Sequence, residues 1–416
     1  MARGLSTLIA ICIAPALLAA CASDTGSPGH SFRTYSEDGI TIAETTGGPK
    51  YREPLFTFEE VLVLRENPEN EGSMLYRPGM FLRADDGRYY VADAGAERIA
   101  VFDENGVYLF DFGQQGYGPG DFASLAWLNF VNGELHAYDY STERVSRFSL
   151  DGDLIDVVSS PLSIDPSGGF IFRMHLTPER LPVILVAQED YRSGAVFERQ
   201  RGFLYSPGGD SLMTAESEWI RTQKLMSIGE QFNAMYLPYC PSPRICYSPH
   251  HGFVWGTGKE AVLGCSSLDG RCSLIRFDQE SVPVTAEDKR RTRAWYDERI
   301  VAEEGIRRAF LEAEKSALEW PSYRPFWRQF EIDDQGFIWM LAYETARELE
   351  EQGGCPLYRV LSPEGEYLGQ VRMPAHINAM GFSNGYLTVI RYINDSDERP
   401  PTVYRIRPAV RGLRYP

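Results

Sequence analysis

Residues 87–106, GRYYVADAGAERIAVFDENG, return without a gap as residues 133–152, GELHAYDYSTERVSRFSLDG. Gly87 matches Gly133, Asp93 matches Asp139, Glu97-Arg98-Ile99 matches Glu143-Arg144-Val145, Phe102 matches Phe148 and Gly106 matches Gly152, all at an offset of 46. Repeats of this size mark propeller blades or solenoids, where each unit buries its apolar face only against its neighbours. In the first copy two alternating runs, YYVAD and RIAVFD, lead across Asn105-Gly106 into a third, VYLFDF. That is the pattern of a hairpin meander, and a fourth strand completes a blade.

At 416 residues the chain exceeds the ~250–300 at which one hydrophobic core stops growing. A propeller avoids that limit because every blade contact is its own core. Charged residues make up 24% and hydrophobic ones 43%, with 38 Gly and 26 Pro, a globular composition of β type. The net charge of −17, with no basic stripe, excludes a nucleic-acid partner, since nothing is there to replace phosphate counterions.

The chain opens with a short basic segment and an apolar run, LSTLIAICIAPALLAA, that reads as a signal peptide over residues 1–20. Leu18-Ala19-Ala20-Cys21 resembles the lipobox of bacterial lipoproteins. The resemblance implies that Cys21 takes lipid and becomes the new N-terminus, and Ala22 after it implies the outer membrane. Residues 21–54 are rich in Ser, Gly, Thr and Pro and read as a flexible tether, leaving 55–416 for the propeller. FTFEEVLVLR, residues 56–65, is a lone strand expected to close the ring with the last blade.

YVADAGAERIAVFDENGVYLFDFGQQGYGPGDF, residues 90–122, resembles an NHL-type repeat of six-bladed β-propellers. The resemblance implies that Asp93, Arg98, Asp139 and Arg144 hydrogen-bond within and between blades. GQQGYGPGD, residues 113–121, is then an inter-blade turn; it lacks the Lys-Ser/Thr ending of a phosphate-binding loop and no helix follows. Blade three starts near 168–176, and 216–250 reads as a long loop into blade four, which begins at HGFVWGTG. Residues 285–318 read as an inserted helix or helical pair, capped by Thr285 with Asp288 and broken at Gly305. Its apolar stripe is expected on a propeller face, with a partner-binding role as the rival. Blade five resumes at PFWRQFEIDDQGFIWML and blade six at HINAMGFSNGYLTVIRYI. The fold expected is all-β and six-bladed, with a seventh blade only if 216–250 holds one.

Export favours disulfides, so Cys265 with Cys272, across the Asp269-Gly270 turn, and Cys240 with Cys246 are candidate pairs. A zinc site from these four with His250 or His251 is the rival, at spacings unlike those of zinc ribbons. Cys355 is left as a free thiol. The innermost strands line a propeller's channel, which makes Arg83, Arg173, His175, Arg328 and His376 candidate channel residues. Three arginines there point to an anionic ligand, although arginines bridging blades are equally a structural device. Glu331 is the one clear carboxylate on those strands. The function expected is a lipid-anchored propeller that binds a protein or small anionic ligand at the envelope, without metal or cofactor. The alternative is a metal-dependent hydrolase or lyase with a channel site, as in six-bladed lactonases and amidating lyases.

Overall fold

A computed structural model describes residues 29–67, 69–161, 169–374, 379–392 and 398–416. The signal peptide, Cys21 and His376 lie outside these residues. Among the described residues six sheets, antiparallel but for one pair of strands, make up the blades. Blade one comprises Pro78–Arg83, Tyr89–Asp93, Arg98–Phe102 and Tyr108–Phe112, and blade two Leu125–Val131, Glu134–Asp139, Arg144–Phe148 and Leu154–Ser159. Blade three has Gly169–Leu176, Pro182–Arg192, Ala195–Tyr205 and Ser211–Glu216; blade four has Arg244–Ser248, Gly252–Gly256, Val262–Ser266 and Cys272–Phe277. Blade five is Gln329–Ile332, Ile338–Leu341, Leu357–Leu361 and Tyr367–Arg372. Blade six takes Ala379–Ser383, Tyr386–Tyr392 and Glu398–Pro408, and its fourth strand is Phe56–Val63, antiparallel to Glu398–Pro408 from Phe56↔Pro408 to Val63↔Thr402. The ring is therefore closed by the strand that FTFEEVLVLR predicts. Asn132-Gly133 and Asn384-Gly385 turn the first hairpins of blades two and six with positive φ at both residues (52° and 77°; 47° and 76°), as two-residue primed turns require.

Each blade is amphipathic on both faces, and six apolar clusters fill the six seams. Between blades one and two, Tyr90, Leu125, Leu128 and Phe148 pack together, and Tyr90 Oη donates to the Leu150 carbonyl at 2.7 Å. Between five and six, Trp339, Val360 and Leu368 meet Phe56, Leu387 and Ile406. Removing any of these large side chains would cost about 3–5 kcal/mol, because packed β surfaces cannot collapse into the gap.

The repeated polar residues do one job twice. Asp93 accepts the backbone N–H groups of Tyr76 and Arg77 at 3.0 and 2.9 Å, and Asp139 those of Ala123 and Ser124 at 2.6 and 2.8 Å. Both are buried at the end of a second strand and cap the segment entering their own blade's inner strand. Arg98 reaches the Met74 carbonyl, and Arg144 reaches the carbonyls of Tyr117, Gly118 and Asp121. Glu97 crosses the seam to accept Leu125 N–H at 2.8 Å.

Two expectations need correction. Within the stretch read as a tether, Ser31–Glu37 and Ile40–Thr46 form a hairpin, and Ile40–Thr46 pairs in parallel with Cys272–Phe277, extending blade four outward. Residues 50–55 then bond along blade five, with Lys50 N–H to Tyr367 O at 3.0 Å and Leu55 N–H to Gln370 O at 3.0 Å. A strand such as Ile40–Thr46, which buries only Ile42, Ala43 and Thr45, shows too little apolar periodicity to be seen. The stretch 216–250 is not a loop either: Ile220–Ile228 and Gln231–Tyr236 form a hairpin off blade three's third strand, and Arg244–Ser248 is blade four's inner strand.

The insertion is helix α1, Ala286–Ala302, and helix α2, Gly305–Ser316, with the Thr285–Asp288 capping box in place and Gly305 at φ 62° between them. It docks on blade three's extra hairpin: Asn233 donates to Glu314 at 2.7 Å, and Glu319 pairs with Arg221 and Lys224 at 2.7 and 2.8 Å. A short helix α3, Ala346–Glu351, lies within blade five, and Arg324 joins Asp288 of α1 to Glu348 of α3. No described helix is long and apolar enough to cross a membrane.

Candidate ligand site in the central channel

The inner strands of all six blades converge on a cavity of about 310 Å³. In the first three blades the inner strand carries one extra residue, at Gly79, Ala126 and Phe172. Such bulges re-aim the side chain that follows. Here those side chains are Met80, Trp127 and Arg173, and all three line the cavity. With side chains alternating along a strand, His175 faces the same way as Arg173.

Across the channel, Arg173 lies 3.6 Å from Glu331, and the opposite oxygen of Glu331 is held by Arg244. Two guanidinium groups thus share one carboxylate. The Arg173 guanidinium also stacks on Trp127, 3.5 Å from the ring centroid. Burial alone would raise the Glu331 carboxyl, but the two arginines outweigh it and hold it below the usual carboxylate range. Burial lowers Arg173, which Glu331 only partly offsets; for Arg244 the same burial is overcome by Glu331 and the net shift is upward. Arg244 is accordingly the better-paired cation and Arg173 the one with attraction to spare.

Beside Arg173 stand two polar groups without partners. His175 is only 8% exposed, and neither ring nitrogen has a hydrogen-bond partner among the described residues. The Tyr247 hydroxyl is buried and equally unpaired, its ring 5.9 Å from that of His175. Burial, then Arg173, depress the His175 pKa to about 3, so the ring is neutral. Buried polar atoms left unmatched cost roughly 1–3 kcal/mol each, so a molecule that bonds His175 and Tyr247 would recover that cost. At the mouth, Asp333 is turned into blade five, where Trp339 Nε1, Tyr415 Oη and Phe337 N–H all donate to it at 2.8 Å, and burial lifts its pKa to about 6.

Of the five residues placed on the channel by sequence, Arg173 and His175 line it. Arg83 instead lies over Tyr386, 4.3 Å from the ring centroid, at the seam between blades one and six. Arg328 sits 5.7 Å from the Tyr343 ring, away from the cavity. Both use the guanidinium for packing. Arg244, Trp127 and Tyr247 were missed. Arg244 could have been found by counting strands, since a blade four that begins at HGFVWGTG is one strand short.

The candidate disulfides are absent: Cys240, Cys246, Cys265, Cys272 and Cys355 are all free thiols. Cys265 pairs with Ser273 and Cys272 with Ser266, so the two cysteines are one step out of register and point to opposite faces of the sheet. Cys240 donates to the Arg221 carbonyl at 2.9 Å, whereas Cys246 points into the channel wall and donates to Phe330 O at 3.3 Å. The rival zinc arrangement does not assemble, because His250 and His251 bond the carbonyls of Asp334 and Gly336. Among the described residues no three His, Cys, Asp or Glu side chains converge as a metal site.

A family whose model is described as a 6-bladed beta-propeller matches residues 78–174, which span blades one and two and most of blade three's inner strand. No curated protein sequence is detectably similar to the chain. Solved structures that resemble it include a protein described as exported from Bacteroides fragilis (10% identity, 85% of this chain and 94% of that one, TM-score 0.45). Others are a member of a family of unknown function from Bacteroides vulgatus (12% identity, 86% and 100%, TM-score 0.42) and virginiamycin B lyase from Staphylococcus aureus (9% identity, 84% and 99%, TM-score 0.37). At these values the likeness does not reach the site. The six sheets, their order and the family match together make the chain a six-bladed β-propeller.

Proposed function

We propose that the protein is a binding module of the cell envelope, lipid-anchored at Cys21 in the outer membrane, whose channel takes a small anionic ligand. The observation that carries this reading is the pairing of one carboxylate with two guanidinium groups beside the unpartnered His175 and Tyr247. An anion within reach of Arg173 gains a charge-assisted hydrogen bond in a partly desolvated site, where such bonds are strongest. The anchor rests on Leu18-Ala19-Ala20-Cys21. Because the first described strand begins at Ser31 and not near residue 55, nine residues lie between Cys21 and that strand, a reach of at most about 30 Å. The propeller would be held close to the bilayer with the outer edge of blade four nearest the anchor.

The test has two parts. Cys21→Ser should move the protein from the membrane to the soluble fraction, and retention through detergent-free washes would refute the anchor. Small organic anions should raise the melting temperature of the purified protein, and Arg173→Met should abolish that rise. A rise that survives Arg173→Met would place the binding elsewhere and defeat the channel reading.

A further inference from the structure

The channel holds charge unevenly along its length, and this selects among anions. Arg173 and Glu331 line its inner part and Arg244 stands behind Glu331, outside the lining, together a net of one positive charge. Its mouth, made by the turns after the inner strands, carries the exposed Asp334 and the inward-turned Asp333. His175 adds no charge, since burial and Arg173 keep it neutral. The remaining wall joins an apolar side, with Leu82, Leu128, Phe130 and Trp127, to the polar Asn129 and Ser248. A dianion would leave one of its charges unmatched in a low-dielectric site and facing Asp334 at the mouth. A neutral molecule would leave the two guanidinium groups sharing the single Glu331 carboxylate, with one positive charge unmatched.

We propose that the ligand is a monocarboxylate with an apolar body, seated carboxylate-inward on Arg173, with His175 and Tyr247 meeting a polar atom beside the carboxylate. This rests on the channel reading above. The cavity, about 310 Å³, is at the small end of ligand pockets (~300–1,000 Å³), so the body is no larger than a single ring with a short arm. Glu331 acts as the selector: by neutralising one arginine it leaves a single charge to be met.

Isothermal titration with three probes of one size tests this: 4-hydroxyphenylacetate, phenyl phosphate and 4-hydroxyphenylacetamide. The expected result is binding of the monocarboxylate alone, weakened about tenfold or more in Arg173→Met and less in Arg173→Lys, which keeps the charge. Glu331→Gln frees the second guanidinium and should bring phenyl phosphate to at least equal affinity, a gain that a misfolded variant could not produce. Phenyl phosphate binding the unaltered protein as well as the carboxylate, with loss in Arg173→Met, would overturn the monocarboxylate while leaving an anion channel. Equal binding of the amide, or binding of none of the three by either the unaltered protein or Glu331→Gln, would overturn both.

Discussion

Blades one and two and blades three to five use charged side chains in opposite ways. In the first pair Asp93, Asp139, Arg98 and Arg144 recur and are tied to backbone groups of the loops entering the inner strands. In the second set Arg173, Arg244 and Glu331 stand once each, on inner strands, and meet one another across the channel. Recurrence marks what every blade needs, namely satisfied backbone at its rim. A residue that serves one ligand has no reason to recur, and the proposed site is made of residues that stand once.

The largest expected effect breaks the frame common to both sets. Deleting Phe56–Val63 leaves Glu398–Pro408 as an open edge and removes Phe56 from the seam of blades five and six, so the variant should aggregate and lose its cooperative thermal transition. Removing only Ser31–Thr46 keeps the ring closed, and circular dichroism should then show a transition lowered by several degrees. An unchanged melt in the first deletion would mean that closure contributes nothing.

Next in size is the contrast itself. Asp139→Ala strips acceptors from the N–H groups of Ala123 and Ser124, a loss of roughly 2–4 kcal/mol by chemical denaturation, and should leave ligand binding intact. Arg173→Met should do the reverse, altering stability by about 1 kcal/mol or less while binding disappears. Equal effects of the two on both readouts would erase the distinction.

A third prediction concerns acid. His175 and His136 have folded pKa values near 3 and 4, against 6.5 when unfolded, because burial excludes the charged form. The unfolded chain takes up protons first as pH falls below 6.5, so their contribution is complete above that pH and is lost toward pH 4, by about 1.4 kcal/mol per unit of pKa difference at most. Asp333 runs the other way. Its pKa of about 6, raised by burial from 3.8, stabilises the fold at low pH and is lost as pH rises to 6. Melting temperatures between pH 4 and 7 should therefore fall more steeply on the acid side in Asp333→Asn and more gently in His136→Gln. The smallest effect is that of reductant, which should shift the melting temperature by no more than about 1 °C, since the described cysteines are unpaired.

How much could be read in advance follows from the same contrast. The repeat at 87–106 and 133–152 gave the blade, and FTFEEVLVLR gave the closure, because apolar alternation with a fixed turn has few other solutions. The hairpin Ser31–Thr46 escaped because it lies on the outside of a finished blade and needs one apolar stripe only. Arg173, His175 and Glu331 were placed by their lying on innermost strands, yet which of those residues meet, and that Trp127 from blade two joins them, is a matter of ring geometry that no local pattern encodes.

The strand Phe56–Val63 also sets the timing of assembly. Its partner is the last strand of the chain, so through synthesis and passage across any membrane it waits without a ladder to join. Blades one to five can collapse as they appear, each on its predecessor, but the final seam forms only when both ends are present, after the longest loop closure the chain can make. The adjacent, exposed carboxylates of Glu59 and Glu60 in Phe56–Val63 keep that waiting edge from pairing with another copy. A ring fastened in this way should show one slow, late step in refolding.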